Sequence, residues 1–384
     1  MSLRQNGFVL DFLNKLNVTD VVDYAVAVSP NGKYIGWVVA SRYEGTIANR
    51  WDLSQPQPVK GANPLFRQLE LNETVIDNSA RIIPYSVTDF TRSFIYSAIL
   101  MNRTSSRYTL RLSAVDMLNV YSILLPYFDG AVIVDYDIKL TPGLLSELMV
   151  AILWSNYQVT LSRYSGIGDT AIVVGPVVLW ALPNRSLPME KPKVSFSTKA
   201  DSNTVCLKYH TSDVSIKQNF TIYCMDASVQ NITGQVQVLF EALTQFDNSE
   251  LLWNGYGDLC FFASSIKQVI YHCTELVYNF GSLAPQPMNS SALRVRFNSS
   301  VQTVKLVTRE TVTCLYMTEP FPTSGIANSL TLRVFCHDDS EKVNNAYYDS
   351  PDGANISIPA YFPMSSITAE ILFVGSSYAF PSFL

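Results

Sequence analysis

The sequence predicts an all-β chain built from repeated units of three or four short strands, and three observations predict it. Strand-like runs that alternate apolar and polar residues recur along the chain, separated by turn residues. Counted from Tyr34, Phe94, Leu148, Thr204, Asp258, Val312 and Glu370, these runs recur at intervals of 54 to 60 residues. Aromatic residues make up 12% of the chain, 21 Tyr among them, which suits half-buried pleated surfaces better than helices. A unit of so few strands cannot bury both faces of its sheet alone, so neighbouring units must cover it. That is the unit of a β-propeller. Seven anchors predict a single propeller over residues 1–384 with seven blades, while the weak spacing of residues 1–70 leaves six or eight open.

The elements follow in order. "YAVAVSPNGKYIGWVVAS" reads as strand, S-P-N-G-K turn and strand. "SAILMNRTSSRYTLRLSA" and "VAILWSNYQVTLSR" are hairpins, followed by "CLKYH…NFTIYC", "CFFASSIKQVIYHC" and "CLYM…SLTLRVFC". A further strand is expected upstream of each hairpin: "RIIPYSV", "AVIVDYDI", "PKVSFST", "VQVLFEALT", "ALRVRF" and "ISIPAYF". The apolar run "AIVVGPVVLWALP" at 171–183 is too short and proline-broken for a membrane helix, which needs roughly 18 apolar residues, and it reads as buried strands. Short helical turns are expected around 8–16 and 143–150. The N-terminal "NGFVLDFL" supplies a strand that closes the last blade beside "EILFVGSSYAFPSFL", because closure removes exposed sheet edges. The rival architecture is a pair of β-sandwich domains split at "RSLPMEKP", 185–192.

The stretch "VSPNGKYIGWV" resembles the "SPDGKxIAF" strand–turn–strand element of the TolB-like and WD-like propeller superfamily, which includes the propellers attached to prolyl-oligopeptidase-type peptidases. The resemblance covers Ser29 to Gly36 and the repeat length; "YDSPDGANISI" at 348–358 shares turn residues without the full pattern. It implies the fold. No W-D blade ending recurs, and the S-x-D-x-G-x-x-W box of sialidase-like propellers is missing. No G-x-S-x-G elbow accompanies the motif, so the peptidase resemblance does not extend to a catalytic domain.

Six cysteines fall into three neighbouring couples. The spacing predicts Cys206–Cys224, Cys260–Cys273 and Cys314–Cys336, one bridge joining the arms of a hairpin in each of three consecutive blades. A zinc site would show closer cysteine pairs or histidines at ligand spacing, and nothing singles out one thiol as a nucleophile. Buried free thiols in a cytosolic protein are the bland alternative. The three histidines, His210, His272 and His337, lie in different predicted blades, which argues against a shared metal; a Ser-His-Asp triad would need one of them, and the G-x-S-x-G elbow is missing.

Acidic candidates are Asp129, Asp135 and Asp137 in "YFDGAVIVDYDI", and Asp338, Asp339 and Glu341 in "CHDDSEK". Alternation puts Asp135 and Asp137 on one strand face. Paired carboxylates serve glycosidases or hold calcium only with partners brought together by the fold; otherwise they are solvated strand ends. Trp51, Trp154, Trp253 and Tyr256 sit near predicted strand ends, where they would either bind carbohydrate or fill blade interfaces. No cofactor motif is present: P-loop, Rossmann glycines and H-E-x-x-H are all missing.

The chain is 48% hydrophobic and 15% charged, with a net charge of -5 spread along its length, which excludes disorder and makes nucleic acid an improbable partner. The first residues lack the basic, apolar and cleavage regions of a signal peptide, leaving a cytosolic protein or a mature segment without its targeting signal. N-x-S/T sequons at Asn17, Asn72, Asn102, Asn184, Asn219, Asn231, Asn289, Asn298 and Asn355 point outward, as do the paired cysteines. The expectation is therefore a secreted or cell-surface glycoprotein. It would act as a non-enzymatic binding or structural module for a protein or carbohydrate partner, or assemble with itself. The alternatives are an extracellular propeller enzyme acting on carbohydrate or lactone through central-channel carboxylates, and an intracellular scaffold.

Overall fold

The computed structural model describes residues 21–28, 34–41, 45–52, 72–77, 79–87, 90–114, 120–128, 130–141, 147–165, 172–181, 192–197, 199, 201–211, 218–227, 236–242, 248–253, 257–264, 268–279, 282–296, 303–309, 312–320, 329–338, 346–349 and 354–359. Among them every regular element is a strand, and the strands form six sheets. The first sheet is β1 (Val21–Val28), β2 (Tyr34–Ser41) and β3 (Gly45–Asp52). In the second, β4 (Glu73–Val75) and β5 (Arg81–Val87) share the long β6 (Phe90–Asn102) as partner, followed by β7 (Tyr108–Ala114) and β8 (Val120–Leu124). The third runs β9 (Ile133–Leu140), β10 (Leu148–Trp154), β11 (Gln158–Tyr164) and β12 (Ile172–Ala181). The fourth runs β13 (Lys193–Phe196), β14 (Thr204–Thr211), β15 (Gln218–Asp226) and β16 (Val236–Ala242). The fifth comprises β17 (Asn248–Trp253), β18 (Leu259–Ser264), β19 (Gln268–Asn279) and β20 (Ser282–Arg296). The sixth comprises β21 (Thr303–Arg309), β22 (Val312–Pro320), β23 (Ser329–Asp338) and β25 (Ala354–Pro359). The chain between β23 and β25 lends β24 (Ala346–Asp349) to the outer edge of the fifth sheet, parallel to β20.

Apart from β24 the strands of each sheet pair antiparallel, and the inner strands of the first five sheets pack in succession: β1 on β5, β5 on β9, β9 on β13, β13 on β17. Between those contacts the sheets stack face to face. Strand β10, "LMVAILW", shows why. Leu148, Val150, Ile152 and Trp154, with Tyr136 of β9, face Ile95, Ile99 and Leu110 of the second sheet, while Met149, Ala151 and Leu153 face the fourth with Val194, Phe196 and Leu207. Alternation points successive residues to opposite faces. A strand buried on both faces is apolar at every position. Val38, Ala40, Phe94, Tyr96 and Leu100 form the corresponding layer between the first and second sheets. Radial stacking of meanders with their first strands innermost is the architecture of a β-propeller.

The anchors used to find the repeat lie in, or beside, the second strand of each sheet. Glu370 and both segments expected to close the ring lie outside the described residues, as does the helical turn expected at 8–16. Residues 148–150, where a second helical turn was expected, belong to β10. Two upstream strands belong to the preceding sheet: "VQVLFEALT" contains β16, the last strand of the fourth sheet, and "ALRVRF" closes β20 of the fifth. The first strands of the fifth and sixth sheets are instead "NSELLW" and "TVKLVTR". "ISIPAYF" likewise contributes the last strand of the sixth sheet, pairing with β23. These outer strands carry apolar alternation as strong as inner ones, so composition alone does not order them. The run at 171–183 is also corrected: β12 is the outer edge of its sheet, with Val178 38% exposed and Pro176 where no ladder partner is required.

Candidate functional site

The chemistry-bearing residues gather on the innermost strands. In β9, "IVDYDIKL", Asp135, Asp137 and Lys139 alternate with Tyr136 and Ile138, which anchor the core toward the second sheet. Strand β13 pairs with β14 along one edge, which leaves the N–H groups of Val194 and Phe196 pointing at β9. Two carboxylates two residues apart meet two N–H groups two residues apart. Val194 N donates to Asp135 Oδ2 at 2.8 Å and Phe196 N to Asp137 Oδ2 at 2.7 Å. Buried edge amides must find acceptors. Here the neighbouring sheet supplies them.

The same device occurs one sheet earlier, where Ala80 N donates to Asp23 Oδ2 of β1 at 2.6 Å. Arg81 of β5 donates to Asp135 Oδ1 at 2.7 Å, and its guanidinium lies 5.0 Å from the centre of the Tyr136 ring. The Tyr136 hydroxyl donates to Ser79 O at 2.5 Å and lies 3.0 Å from Ser97 Oγ. Lys139, 7% exposed, donates to the carbonyls of Ser197 at 2.7 Å and Lys199 at 2.5 Å, and to that of Ser202. The ammonium thereby fastens the β13–β14 connection to β9.

Burial pushes the Asp137 carboxyl up to about 6, against the opposing pull of the Phe196 N–H, Arg81 and the Ile138 N–H, with Asp135 adding to the rise. Burial pulls Lys139 down to about 8, resisted by Asp137 and Asp201. Burial also works against the Arg81 charge, but Asp135, Tyr136, Asp137 and Asp23 more than restore it, and its pKa ends raised. The Tyr136 phenol is pushed well up, chiefly by burial. The result is a belt of mixed charge across four sheets, its carboxylates and ammonium hydrogen-bonded to the backbone of neighbouring elements.

The cysteines are placed by the same ladder logic. Cys206 faces Cys224 across β14 and β15, with Cα atoms 4.1 Å apart and a disulfide between them. Cys260 faces Cys273 across β18 and β19 at 4.0 Å, again bridged. Cys314 and Cys336 are direct partners in the β22–β23 register; their sulfur atoms lie outside the described side chains. All three couples lie opposite one another on the second and third strands of consecutive sheets, and the first two are bridged.

The remaining candidates separate. His210, His272 and His337 lie on β14, β19 and β23, in three different sheets, with their side chains outside the described set. Among the described residues no cluster of three potential metal ligands occurs. Asp129, Asp339, Glu341, Tyr256, Asn17, Asn184, Asn231 and Asn298 lie outside the described residues. Asp338 and Trp51, with Asn219, Asn289 and Asn355, lie on described strands with undescribed side chains. Asn72 and Asn102 sit side by side at one end of the second sheet, where Arg103 N donates to Asn72 O at 2.8 Å. Trp154 is fully buried against Tyr108 and Phe128 and donates to Thr160 Oγ1 at 2.8 Å; Trp253 is buried as well. Both tryptophans serve packing. Sequence reasoning overlooked Arg81 and Lys139. The signal for Lys139 was the "DYDIK" alternation, charged at every second position of a strand.

No protein-family model matches this chain, and no curated protein matches it. Solved structures of similar trace include one from a structural and mechanistic study of two prolyl endopeptidases, at 12% identity and a TM-score of 0.46, covering 90% of this chain and 43% of that one. The WD40 domain of SCAP from fission yeast shows 11% identity and a TM-score of 0.45, covering 88% and 73% respectively. The β-propeller domain of the Trilobed protease from Pyrococcus furiosus shows 8% identity and a TM-score of 0.40, covering 88% and 92%. The chain thus spans less than half the length of the prolyl endopeptidase.

Proposed function

We propose that this protein is a secreted or cell-surface propeller that works without catalysis, as a binding or assembly module toward a protein partner. The observation that carries the reading is the state of the inner carboxylates: Asp23, Asp135 and Asp137 accept backbone N–H groups from the neighbouring sheets, and Asp135 also holds Arg81. Carboxylates committed in this way brace a ring; a hydrolytic pair needs an oxygen turned to substrate or water. Bridged cysteines in consecutive sheets fit an oxidising compartment, where such bonds persist. At the connection between β8 and β9, Leu124, Tyr127, Val132 and Val134 stand exposed, an apolar character that protein contacts use.

One observation favours the enzymatic alternative, an extracellular hydrolase or lyase acting on carbohydrate or lactone. Asp137 combines burial with a raised carboxyl pKa of about 6, the condition of many general acids. The two readings part in one experiment. Protein secreted from a eukaryotic host is measured by intact mass before and after reduction and deglycosylation, then assayed on aryl glycosides, polyuronides and lactones. The expected outcome is a mass above that of the bare chain, lowered by deglycosylation, with no turnover. A mass equal to the bare reduced chain overturns the compartment, and turnover abolished in Asp135→Asn or Asp137→Asn overturns the non-catalytic role.

A further inference from the structure

A small, partly open pocket lies between the first and second sheets. Thr46 and Ala48 of β3 form one wall; Tyr96 of β6 and Arg111 and Ser113 of β7 form the other. Two of these side chains bring hydroxyls sealed from solvent: Thr46 Oγ1 and Ser113 Oγ have no hydrogen-bond partner in the protein. Ser113 is 7% exposed, as is Arg111, whose guanidinium is clamped by Glu73 at 2.5 Å. Burying two hydroxyls unpaired is costly, and native structures avoid it.

The contents can be deduced from size, charge and hydrogen-bonding need. About 30 Å³ is open to water centres, enough to admit water, whereas organic ligands take pockets of about 300 Å³ or more. The Arg111 charge is already met by Glu73, so the site is close to neutral and gives an anion little advantage over a dipole. Each hydroxyl is both donor and acceptor, and a partner able to do both satisfies them together. We propose that an ordered water bridges Thr46 Oγ1 and Ser113 Oγ, serving as a polar rivet between the first two sheets. An apolar filling would leave both hydroxyls unpaired, so the cavity is built to stay wet.

The test is a crystal structure of the whole chain at a resolution that shows ordered waters, with a second crystal soaked in bromide. The expected result is one density peak within hydrogen-bonding reach of both hydroxyls, unchanged in bromide and without anomalous signal. An empty cavity overturns the proposal, and so does an anomalous bromide peak, which would make the site an anion site. A double-mutant cycle supplies a solution measurement. Thr46→Val and Ser113→Ala should each lower the urea unfolding midpoint, and the double variant should lose less than the sum, because either change already weakens the shared water. Strict additivity of the two losses overturns the bridge.

Discussion

Gly36 lies where the first sheet meets the second, and its missing side chain sets how closely they approach. A Cβ there would lie 2.6 Å from Ile82 Cδ1 and 2.8 Å from Phe94 Cγ, closer than real carbon contacts allow. The Phe94 ring that fills this space is fully buried. Gly36→Ala must push Ile82 and Phe94 apart from β2, and overpacking of that kind costs about 1–3 kcal/mol. The variant should therefore unfold at a lower temperature than the parent. A melting temperature equal to the parent's would show that the interface gives way freely. The glycine was visible in the sequence as part of a turn motif, but its role is not the turn. That role depends on Phe94, which is remote in sequence and adjacent only in the fold.

At the scale of elements, the second and third strands of a sheet are the pair that the cysteines join. They are central strands, covered on both faces, so a bridge between them stays dry: Cys206, Cys224 and Cys260 are fully buried. Burial protects the bond from reductants and gives the sulfurs apolar neighbours. Restricting the unfolded chain by one such loop contributes roughly 3 kcal/mol. Replacing Cys206 and Cys224 together by Ala should lower stability by about that amount in denaturant unfolding. Little or no loss would mean that the packed strands hold the register unaided. The couples could be paired from sequence because the repeat interval matched them to hairpins. The order of inner and outer strands could not, since β16 and β17 differ in position along the radius and hardly in pattern.

Across the whole molecule, the belt from Asp23 through Arg81, Asp135, Asp137 and Lys139 ties four sheets, so its protonation acts on the stability of the assembly. Burial pushes the Asp137 carboxyl up to about 6 in the fold, against an ordinary value of 3.8. A pKa raised by folding means that the native state binds the proton more tightly, so this contribution is complete below pH 3.8 and is lost as pH rises through about 6. Asp137→Asn removes the titration and keeps an acceptor oxygen for only one of the Phe196 and Ile138 N–H groups, a loss that is the same at every pH. Relative to the parent, the variant should gain stability on going from pH 4 to pH 7, on the order of 2 kcal/mol. Parallel stability curves for the two proteins would place the Asp137 titration outside this range. Lys139 acts in the opposite direction at higher pH: its lowered pKa of about 8 makes the fold gain stability as pH rises from there toward the ordinary lysine value of 10.5.

The sequence by itself determined the strand content, the repeat interval and the cysteine couples. Each of these follows from local periodicity: alternation within a strand, turn residues between strands, and recurrence along the chain. Only the tertiary structure decided that "VDYDIK" lies on an innermost strand, that its carboxylates spend themselves on the backbone of β13, and that Trp154 and Trp253 are packing residues. A sheet edge and its distance from the axis are properties of neighbours, and the neighbours of β9 in the adjacent sheets are β5 and β13, each more than 45 residues away at their nearest ends. No window of sequence around Asp135 contains the amides that use it.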